Sequence, residues 1–225
     1  MSPDAQFLYS VVDAGRTIQK IDLQRGVPTS SFTVPIGPQV ADMAVSPSNS
    51  ALVIVRTSQL LSAYENGARL ANGISGLDLF AFSDTTGELY ACSGFYTGSP
   101  LYRVAIGPSG LTLTESQPAK QSQSRELKFT GGLVHYSRGM IVDPVSRRVR
   151  GVLPQPFDPG NHFNSLVEPD PASQRVFMLS PVGGSTWAGQ AFDADQFIAV
   201  AGTNIAGVVG TPPRLVRWGV DGIAF

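Results

Sequence analysis

Short apolar segments alternate with polar turns along the whole chain. The clearest unit runs from Met43 to Val55, where MAV and ALVIV flank the turn SPSNS. Short runs of Val, Leu, Ile and Tyr that end at Ser, Pro, Asp or Gly are typical of antiparallel β-strands. The one stretch with helical spacing, 117–125, carries no apolar face and is interpreted as a loop. The pattern therefore predicts an all-β protein.

The same unit recurs, with turns that begin 44, 37, 47 and 38 residues apart at Ser2, Ser46, Ser83, Thr130 and Glu168. A repeat of about 40 residues with four short strands is typical of a β-propeller blade. We expect a single β-propeller domain, residues 1–225, with about five four-stranded antiparallel blades. The approximate repeats are 1–38, 39–75, 76–120, 121–161 and 162–210, with 211–225 closing the first blade.

The first repeat begins at its turn, SPDA, so its first strand is missing from the amino terminus. The final GIAF followed by SPDAQFLYSVV reads as another copy of MAVSPSNSALVIV, which predicts closure by pairing of the N- and C-terminal strands. A second alignment places RLVRWGVDGIAF over ELKFTGGLVHYS, with Trp218 over Phe129, and then the terminus contributes two strands. A third interpretation is a fragment of a larger propeller.

Composition excludes several classes of function. Charged residues are 15% of the chain, against about 25% in a typical domain, and the net charge of −1 leaves no basic stripe for a nucleic acid. No apolar run approaches the ~20 residues of a membrane span, and Met1 is followed by a polar turn instead of a signal peptide. Cys92 stands alone, and His135 and His162 lack metal-binding spacing, so neither a metal nor a cofactor is expected.

Candidate ligand-binding residues lie near the innermost strands, which line the axial channel of a propeller. A ring of carboxylates there would suit a metal ion or a sugar, because hard cations need several oxygen ligands. The alternative is that these residues start strands and hydrogen-bond the turns between blades. The candidates are Asp42, Asp78 and Glu126, with Lys128, Glu168 and Arg217 nearby.

Loops supply two further candidates. His162, in the polar cluster NHFN, precedes an innermost strand. Trp187, in the Gly-rich segment PVGGSTWAG, either stacks on a sugar or peptide or fills the gap between blades. The same pair of interpretations applies to Phe95 and Tyr96. The pair of aspartates in FDADQF lacks the Gly and Glu of a calcium loop, so a β-turn is favoured there.

Several segments resemble bacterial extracytoplasmic β-propellers of the YVTN/NHL-like superfamily. They are SPDAQFLY, VSPSNSALVIV, FTGGLVHYSRGMIVDP, SLVEPDPASQRVFML and LVRWGVDGIAF, and the last two look like stretches of large secreted proteins of acidobacteria. The resemblance implies a propeller fold and a parent protein that is secreted or periplasmic. Because such proteins carry signal peptides and further segments, it also implies that this chain is an excised, engineered or permuted piece.

The functional expectation is a non-enzymatic scaffold or binding module for an unknown protein or glycan. The sequence holds no GxSxG, no assignable Ser-His-Asp set and no phosphate-binding loop. The alternative, implied by the resemblance, is a lactonase-like hydrolase that uses a divalent metal ion held by acidic residues in the axial channel. The chain is expected to be a monomer, or an oligomer if its ring is incomplete.

Overall fold

A computed structural model describes residues 1–2, 4–35, 39–58, 60–94, 98–117, 124–154, 164–219 and 222–225. These residues form twenty-one β-strands and one short 3-10 turn, at Asp13–Gly15. The chain has two compact units, which we describe separately. Unit 1 contains Met1–Ser93 and Leu101–Ser116, and unit 2 contains Gly94–Pro100 and Gln117–Phe225. Among the described residues, no helix has the length and apolar character needed to cross a bilayer.

Unit 1 contains strands β1 to β11, most of which pair with the next strand along the chain. The strands are β1 (Phe7–Val12), β2 (Thr17–Asp22), β3 (Val27–Thr33), β4 (Val40–Val45), β5 (Leu52–Thr57), β6 (Leu60–Glu65), β7 (Ala68–Ser75), β8 (Leu79–Phe82), β9 (Glu88–Cys92), β10 (Leu101–Gly107) and β11 (Gly110–Gln117). One sheet has the order β1-β2-β3. The other contains two four-stranded meanders, β4 to β7 and β8 to β11, which are joined where β7 meets β11.

A serine at the start of each turn explains why this residue recurs along unit 1. The backbone N–H of Ser46 donates to the carbonyl of Leu52 at 2.9 Å, and that of Ser83 donates to Glu88 at 3.1 Å. Ser2 makes the same contact with Phe7 at 2.8 Å, and its hydroxyl accepts the Phe7 N–H. The buried hydroxyls satisfy turn N–H groups that would otherwise lose their hydrogen bonds.

Apolar side chains from consecutive repeats share each core of unit 1. Tyr9 and Ile18 of the first repeat pack with Val53 and Tyr64 of the second. A larger cluster joins the second and third repeats through Leu52, Ile54, Leu61, Ala63, Ile74, Leu77, Phe80, Leu89, Ala91, Val104 and Leu111. A single four-stranded sheet cannot bury its own apolar faces, so each sheet depends on the next one for stability.

Unit 2 contains strands β12 to β21. They are β12 (Leu127–Thr130), β13 (Leu133–Tyr136), β14 (Met140–Asp143), β15 (Arg148–Val152), β16 (Leu166–Asp170), β17 (Arg175–Gly183), β18 (Thr186–Asp193), β19 (Ala199–Ile205), β20 (Val216–Trp218) and β21 (Gly222–Ala224). They form two four-stranded antiparallel meanders, β12 to β15 and β16 to β19, and the hairpin β20-β21.

The sheets confirm the all-β prediction, but they do not form five clearly separate four-stranded blades. Among the described residues the sheets contain three, eight, four, four and two strands. The three-stranded first sheet matches a repeat that begins at its turn. The last two strands pair with each other, with Arg217 opposite Ile223, in the way that β12 pairs with β13. This hairpin agrees with the second alignment of the terminus, in which residues 211–225 contribute two strands.

The cores of unit 2 also span consecutive repeats. Ile141 and Leu153 pack with Val167, Met178 and Phe192 between the meanders that begin with β12 and β16. Leu166, Leu179 and Trp187 pack with Leu215, which directly precedes β20, and Ile223 of β21 lies against the same cluster. The hairpin β20-β21 therefore packs on the preceding sheet as the start of a further repeat.

Candidate functional site

The first strands of consecutive repeats in unit 2 carry a row of charged side chains. Lys128 on β12 lies between two carboxylates, with its Nζ 3.1 Å from Oε1 of Glu126 and 3.1 Å from Oε2 of Glu168 on β16. The other oxygen of Glu126, Oε2, accepts the backbone N–H of Val167 at 3.2 Å. The structure thus brings together three of the residues that the sequence placed near innermost strands, and it links β12 to β16 through them.

Burial and charge oppose each other in this group. Burial raises the pKa of the Glu126 carboxyl, and the ammonium of Lys128 and the N–H of Val167 offset only part of that effect. Burial also disfavours the charged form of Lys128, but the carboxylates of Glu126 and Glu168 outweigh it and raise the pKa of Lys128. The lysine therefore stays protonated, and its charge compensates the two carboxylates.

A second ion pair links β16 to the final hairpin. Nε of Arg217 on β20 lies 2.7 Å from Oδ2 of Asp170, and its Nη1 donates to the carbonyl of Gly222 at 2.7 Å. The guanidinium carbon also lies 4.8 Å above the ring of Phe177, at cation–π distance. The hydroxyl of Ser173, two N–H groups and Arg217 lower the pKa of Asp170 against the opposing effect of burial.

Together these contacts form a partly exposed row of paired opposite charges across β12, β16 and β20. We call this row, Glu126, Lys128, Glu168, Asp170 and Arg217, the charged strip. Among the residues that the structure describes, no group of three or more His, Cys, Asp or Glu side chains is arranged to hold a metal ion. Lys128 itself occupies the position between Glu126 and Glu168. The strip links neighbouring repeats, and its side chains are 12–25% exposed to solvent.

The two aspartates predicted in unit 1 have local roles. Asp42 is half-buried on β4, and its Oδ1 accepts the backbone N–H of Met43 at 2.8 Å. Asp78 is half-buried just before β8, and its backbone N–H donates to the carbonyl of Cys92 at 3.2 Å. The Asp42 contact lies within its own strand, and the Asp78 contact is made by its backbone and not by its carboxylate.

Two groups with chemistry of interest are buried. Burial, together with the charge of Asp78, raises the pKa of the Cys92 thiol far above its ordinary value, so the thiol is protonated at neutral pH. Burial lowers the pKa of His135 to about 4, although its imidazole also donates to the carbonyl of Thr130. His135 is 4% exposed and lies opposite Lys128 in the pairing of β12 with β13. The imidazole is therefore neutral and shielded from solvent.

The loop candidates have different outcomes. His162, Phe95 and Tyr96 lie outside the described residues. Trp187 lies on β18 and is only 4% exposed, packed with Leu166, Leu179 and Leu215. This position corresponds to the interpretation in which the ring fills the gap between repeats. By contrast Trp218, at the end of β20, is 72% exposed.

Sequence reasoning missed Asp170 as a member of the charged strip. It lies two residues after Glu168 on β16, and residues at this spacing share one face of a strand. Strict alternation would therefore have grouped it with Glu168. The partner of Asp170 was not predictable in this way, because Arg217 lies 47 residues further along the chain and in a different repeat.

Comparison with known proteins identifies the fold and no family. No family model matches the chain, and no curated protein matches it. Solved structures do match, 633 chains in all, which indicates a widely used fold. One is a WD40 β-propeller in "Crystal Structure of Mitotic Checkpoint Complex", with a TM-score of 0.65 and 12% identity. The match covers 88% of this chain and 60% of that one, so this chain spans less than two thirds of its length. The protein is all-β and propeller-like.

Proposed function

We propose that this chain is a non-enzymatic, propeller-like scaffold that binds a protein or a glycan. The observation that carries this proposal is the charged strip, in which Glu126, Glu168 and Asp170 are each paired with a cation of the same protein. Carboxylates engaged in this way serve structure and recognition better than general acid–base catalysis, which requires a group that exchanges its proton with substrate.

The state of the two best candidate reactive groups supports the proposal. A thiol nucleophile must ionise, and burial keeps Cys92 protonated. A histidine base must reach its substrate, and His135 is buried within unit 2. The neighbour in the mitotic checkpoint structure is a propeller in a protein assembly, which is compatible with recognition as the role of this fold.

The finer architecture belongs to the same proposal. We propose one propeller domain of about five blades, from a bacterial parent protein that is secreted or periplasmic. The repeat length, the resemblance of segments such as SPDAQFLY and the sharing of cores by consecutive repeats support it. Closure of a ring by residues 211–225 stays a prediction.

The competing hydrolase is tested with metal ions and lactones. Thermal unfolding of the purified chain is measured with EDTA and with Ca²⁺, Mg²⁺, Mn²⁺ or Zn²⁺, because a ligand that binds only the folded state raises the melting temperature. The same samples are assayed with aliphatic and aromatic lactones. We expect one melting temperature in all conditions and no turnover above buffer. If metal ions stabilise the chain and it hydrolyses a lactone, and if Glu168→Gln abolishes that hydrolysis, the scaffold proposal is wrong and the lactonase-like hydrolase is favoured.

Binding itself is tested with defined probes. The labelled chain is applied to a glycan array and to an array of short peptides, and each positive probe is titrated in solution. We expect saturable binding to at least one class of probe. A chain that binds neither class at millimolar probe concentrations, about the −4 kcal/mol level of weak recognition, contradicts the proposal.

A further inference from the structure

Strand β19 is the last strand of the sheet that begins with β16, and its outer edge has no strand partner among the described residues. Its other edge pairs with β18. Residues 198–204 are all exposed, and among them Ile198 is 53% and Val200 46% exposed. The backbone N–H and C=O groups along such an outer edge are available to pair with a further strand.

The last strands of the other meanders have features that oppose this kind of pairing. β3 contains Pro28, which has no N–H to donate. β15 carries exposed charges at Arg148 and Arg150. In unit 1 the edges of β7 and β11 meet where Asn72 pairs with Gly110, and the described residues show no pairing beyond that point. Proline, charged side chains and a covered edge are the usual means by which native proteins prevent sheets from joining edge to edge.

β19 lacks these features. Its sequence, AVAGTNI, contains no charged residue and no proline. Its pairing with β18 is irregular at Val200, as the pairings of β3 and β15 are each irregular at one point. Beyond that irregularity residues 201–205 pair with β18 in regular register, a run of five, against four on β3 and two on β15. Compared with β3 and β15, β19 thus offers the longer regular edge.

The composition of this edge points to a second copy of the chain as its partner. Two identical strands that pair antiparallel are related by a two-fold axis perpendicular to the sheet, so residues near the axis lie opposite themselves or close neighbours. Any charge there would face the same charge of the other copy, and like charges directly opposite each other are destabilising. Self-pairing therefore requires an uncharged strand, whereas pairing with a foreign strand does not. The small side chains of Ala201 and Gly202 also allow a second backbone to approach closely.

We propose that β19 is a self-association surface, at which two copies of this chain pair antiparallel and join their four-stranded sheets into one continuous sheet. The exposed side chains of Ile198 and Val200 add apolar contact at the ends of the paired segment. Because a single pair of strands buries little surface, the dimer is weak and reversible. This self-association is independent of the ligand-binding role proposed above.

Sedimentation velocity of the purified full chain, at ~10 µM and at ~500 µM, measures the self-association. We expect a monomer at the lower concentration and a reversible dimer at the higher one. Thr203→Lys places a charge in the middle of the regular part of β19, at an exposed position, and is expected to weaken the dimer at least about tenfold. Thr33→Lys makes the same substitution at an exposed position of β3 and is expected to leave the dimer unchanged.

A cysteine scan of residues 200–205 tests the geometry of the pairing. Around the two-fold axis one residue lies directly opposite its own copy, with Cα atoms about 4.5–5.5 Å apart, a distance that a disulfide bond spans. We expect the cysteine at that one position to form an intermolecular disulfide much faster than the cysteines on either side of it. The native Cys92 is buried and its thiol is protonated at neutral pH, so it does not compete. Thr33→Cys on β3 is the control.

The two measurements have outcomes that would overturn the proposal. A chain that stays monomeric at ~500 µM, or a dimer that Thr203→Lys leaves intact, would show that β19 does not pair with its own copy. Equal rates of disulfide formation at all scanned positions and at Thr33→Cys would show the same. Circular dichroism checks that each variant is folded, and the scan remains decisive if Thr203→Lys does not fold. Binding of a peptide or glycan by a strictly monomeric chain would overturn self-association and leave the scaffold proposal in place.

Discussion

The two units join consecutive repeats at different places and by different chemistry. In unit 1 the outermost strands β7 and β11 meet backbone to backbone, where Gly110 lies against Asn72. In unit 2 the first strands β12, β16 and β20 are linked by side chains, through the charged strip. The contact between β7 and β11 requires a glycine at position 110, whereas the contact among β12, β16 and β20 requires five ionised side chains.

Because of this difference, we expect the stability of the two units to respond differently to pH and to salt. A backbone contact between uncharged groups does not change with pH or salt over the ordinary range. Ion pairs weaken as salt screens them, and they change whenever a partner gains or loses a proton. Unit 2 also contains the buried histidine His135, whose lowered pKa makes this unit sensitive to acid. Four experiments test the contrast.

The largest expected effect is loss of stability in acid through His135. Its folded-state pKa of about 4 lies below the ordinary value of 6.5, so the folded protein favours the neutral imidazole. The stability that this contributes is complete above pH 6.5 and is lost as pH falls from about 6.5 to 4, by roughly 3 kcal/mol at most. Urea unfolding across this range measures the slope.

Two substitutions test whether His135 causes this dependence of stability on pH. His135→Leu removes the buried titrating group and is expected to flatten the dependence between pH 6.5 and 4. His162→Asn removes the other histidine of the chain and serves as the control, with the slope expected to persist. Glu126, whose pKa is raised, binds its proton early in the folded state and opposes part of the loss. An unchanged slope in His135→Leu would show that this histidine is not the cause.

The second largest expected effect is the loss of stability when Lys128 is replaced. Lys128→Met leaves the carboxylates of Glu126 and Glu168 close together and without their cation. Breaking a fully buried pair costs about 3–5 kcal/mol, and because this lysine is 25% exposed we expect about 2–3 kcal/mol. Urea unfolding at pH 7 measures the difference. The cost should shrink in about 1 M NaCl, where charge interactions are screened within ~3 Å.

A double variant tests the mechanism. If repulsion and exposure of unpaired carboxylates cause the loss, Lys128→Met with Glu168→Gln should be more stable than Lys128→Met alone. Arg148→Met removes an exposed cation from β15 and is expected to change stability by less than about 0.5 kcal/mol. A Lys128→Met protein as stable as this control would show that the strip contributes nothing to the fold.

Local patterns in the sequence predicted the strand–turn–strand units and placed four of the five residues of the charged strip near innermost strands, without predicting the ion pairs between them. Alternating apolar residues and serine-initiated turns identify the strand pairs, and the turns at Ser46 and Ser83 show the backbone contacts that make serine useful there. Glu126 precedes the apolar run LKF in the sequence, as Asp42 and Asp78 precede MAV and LFAF. Lys128 and Glu168 were also placed near innermost strands. Because the repeats share one strand order, the position of a residue in one repeat predicts the position of the corresponding residue in the next.

Features that depend on contacts between particular repeats could not be predicted from local sequence patterns. The separation of β7 from β11 depends on Gly110 meeting Asn72, 38 residues earlier, and neither residue stands out from its neighbours in the sequence. Trp187 illustrates the same limit, since a Gly-rich segment is equally typical of an exposed loop and of a tight strand turn. Its burial depends on Leu215 of the following repeat.

The third largest expected effect is the loss of stability when the contact between β7 and β11 in unit 1 is disturbed. Gly110→Ala places a Cβ 2.3 Å from the carbonyl oxygen of Asn72 and requires φ near +111°, which alanine rarely adopts. We expect a loss of about 2 kcal/mol, with no dependence on pH between 6.5 and 4 or on salt. Gly107→Ala is the matched control, because a Cβ there meets nothing within 4 Å. Salt sensitivity of the Gly110→Ala effect would remove the contrast between the units.

The smallest effect concerns an ion pair of unit 1 that lies within one meander. Arg103 on β10 pairs with Glu88 on β9 at 2.5 Å, and the arginine side chain is close to half exposed. Exposed pairs contribute about 0.2–1 kcal/mol, and because the Glu88 side chain that would lose its partner is only 11% exposed, Arg103→Met should cost about 1 kcal/mol, at the upper end of that range and below Lys128→Met. If ion pairs stabilise this protein chiefly where they join repeats, the loss for Lys128→Met exceeds that for Arg103→Met about two- to threefold in urea unfolding at pH 7. Equal losses would mean that burial of the repeat cores, common to both units, holds consecutive sheets together, and that the charged strip serves the ligand instead of the fold.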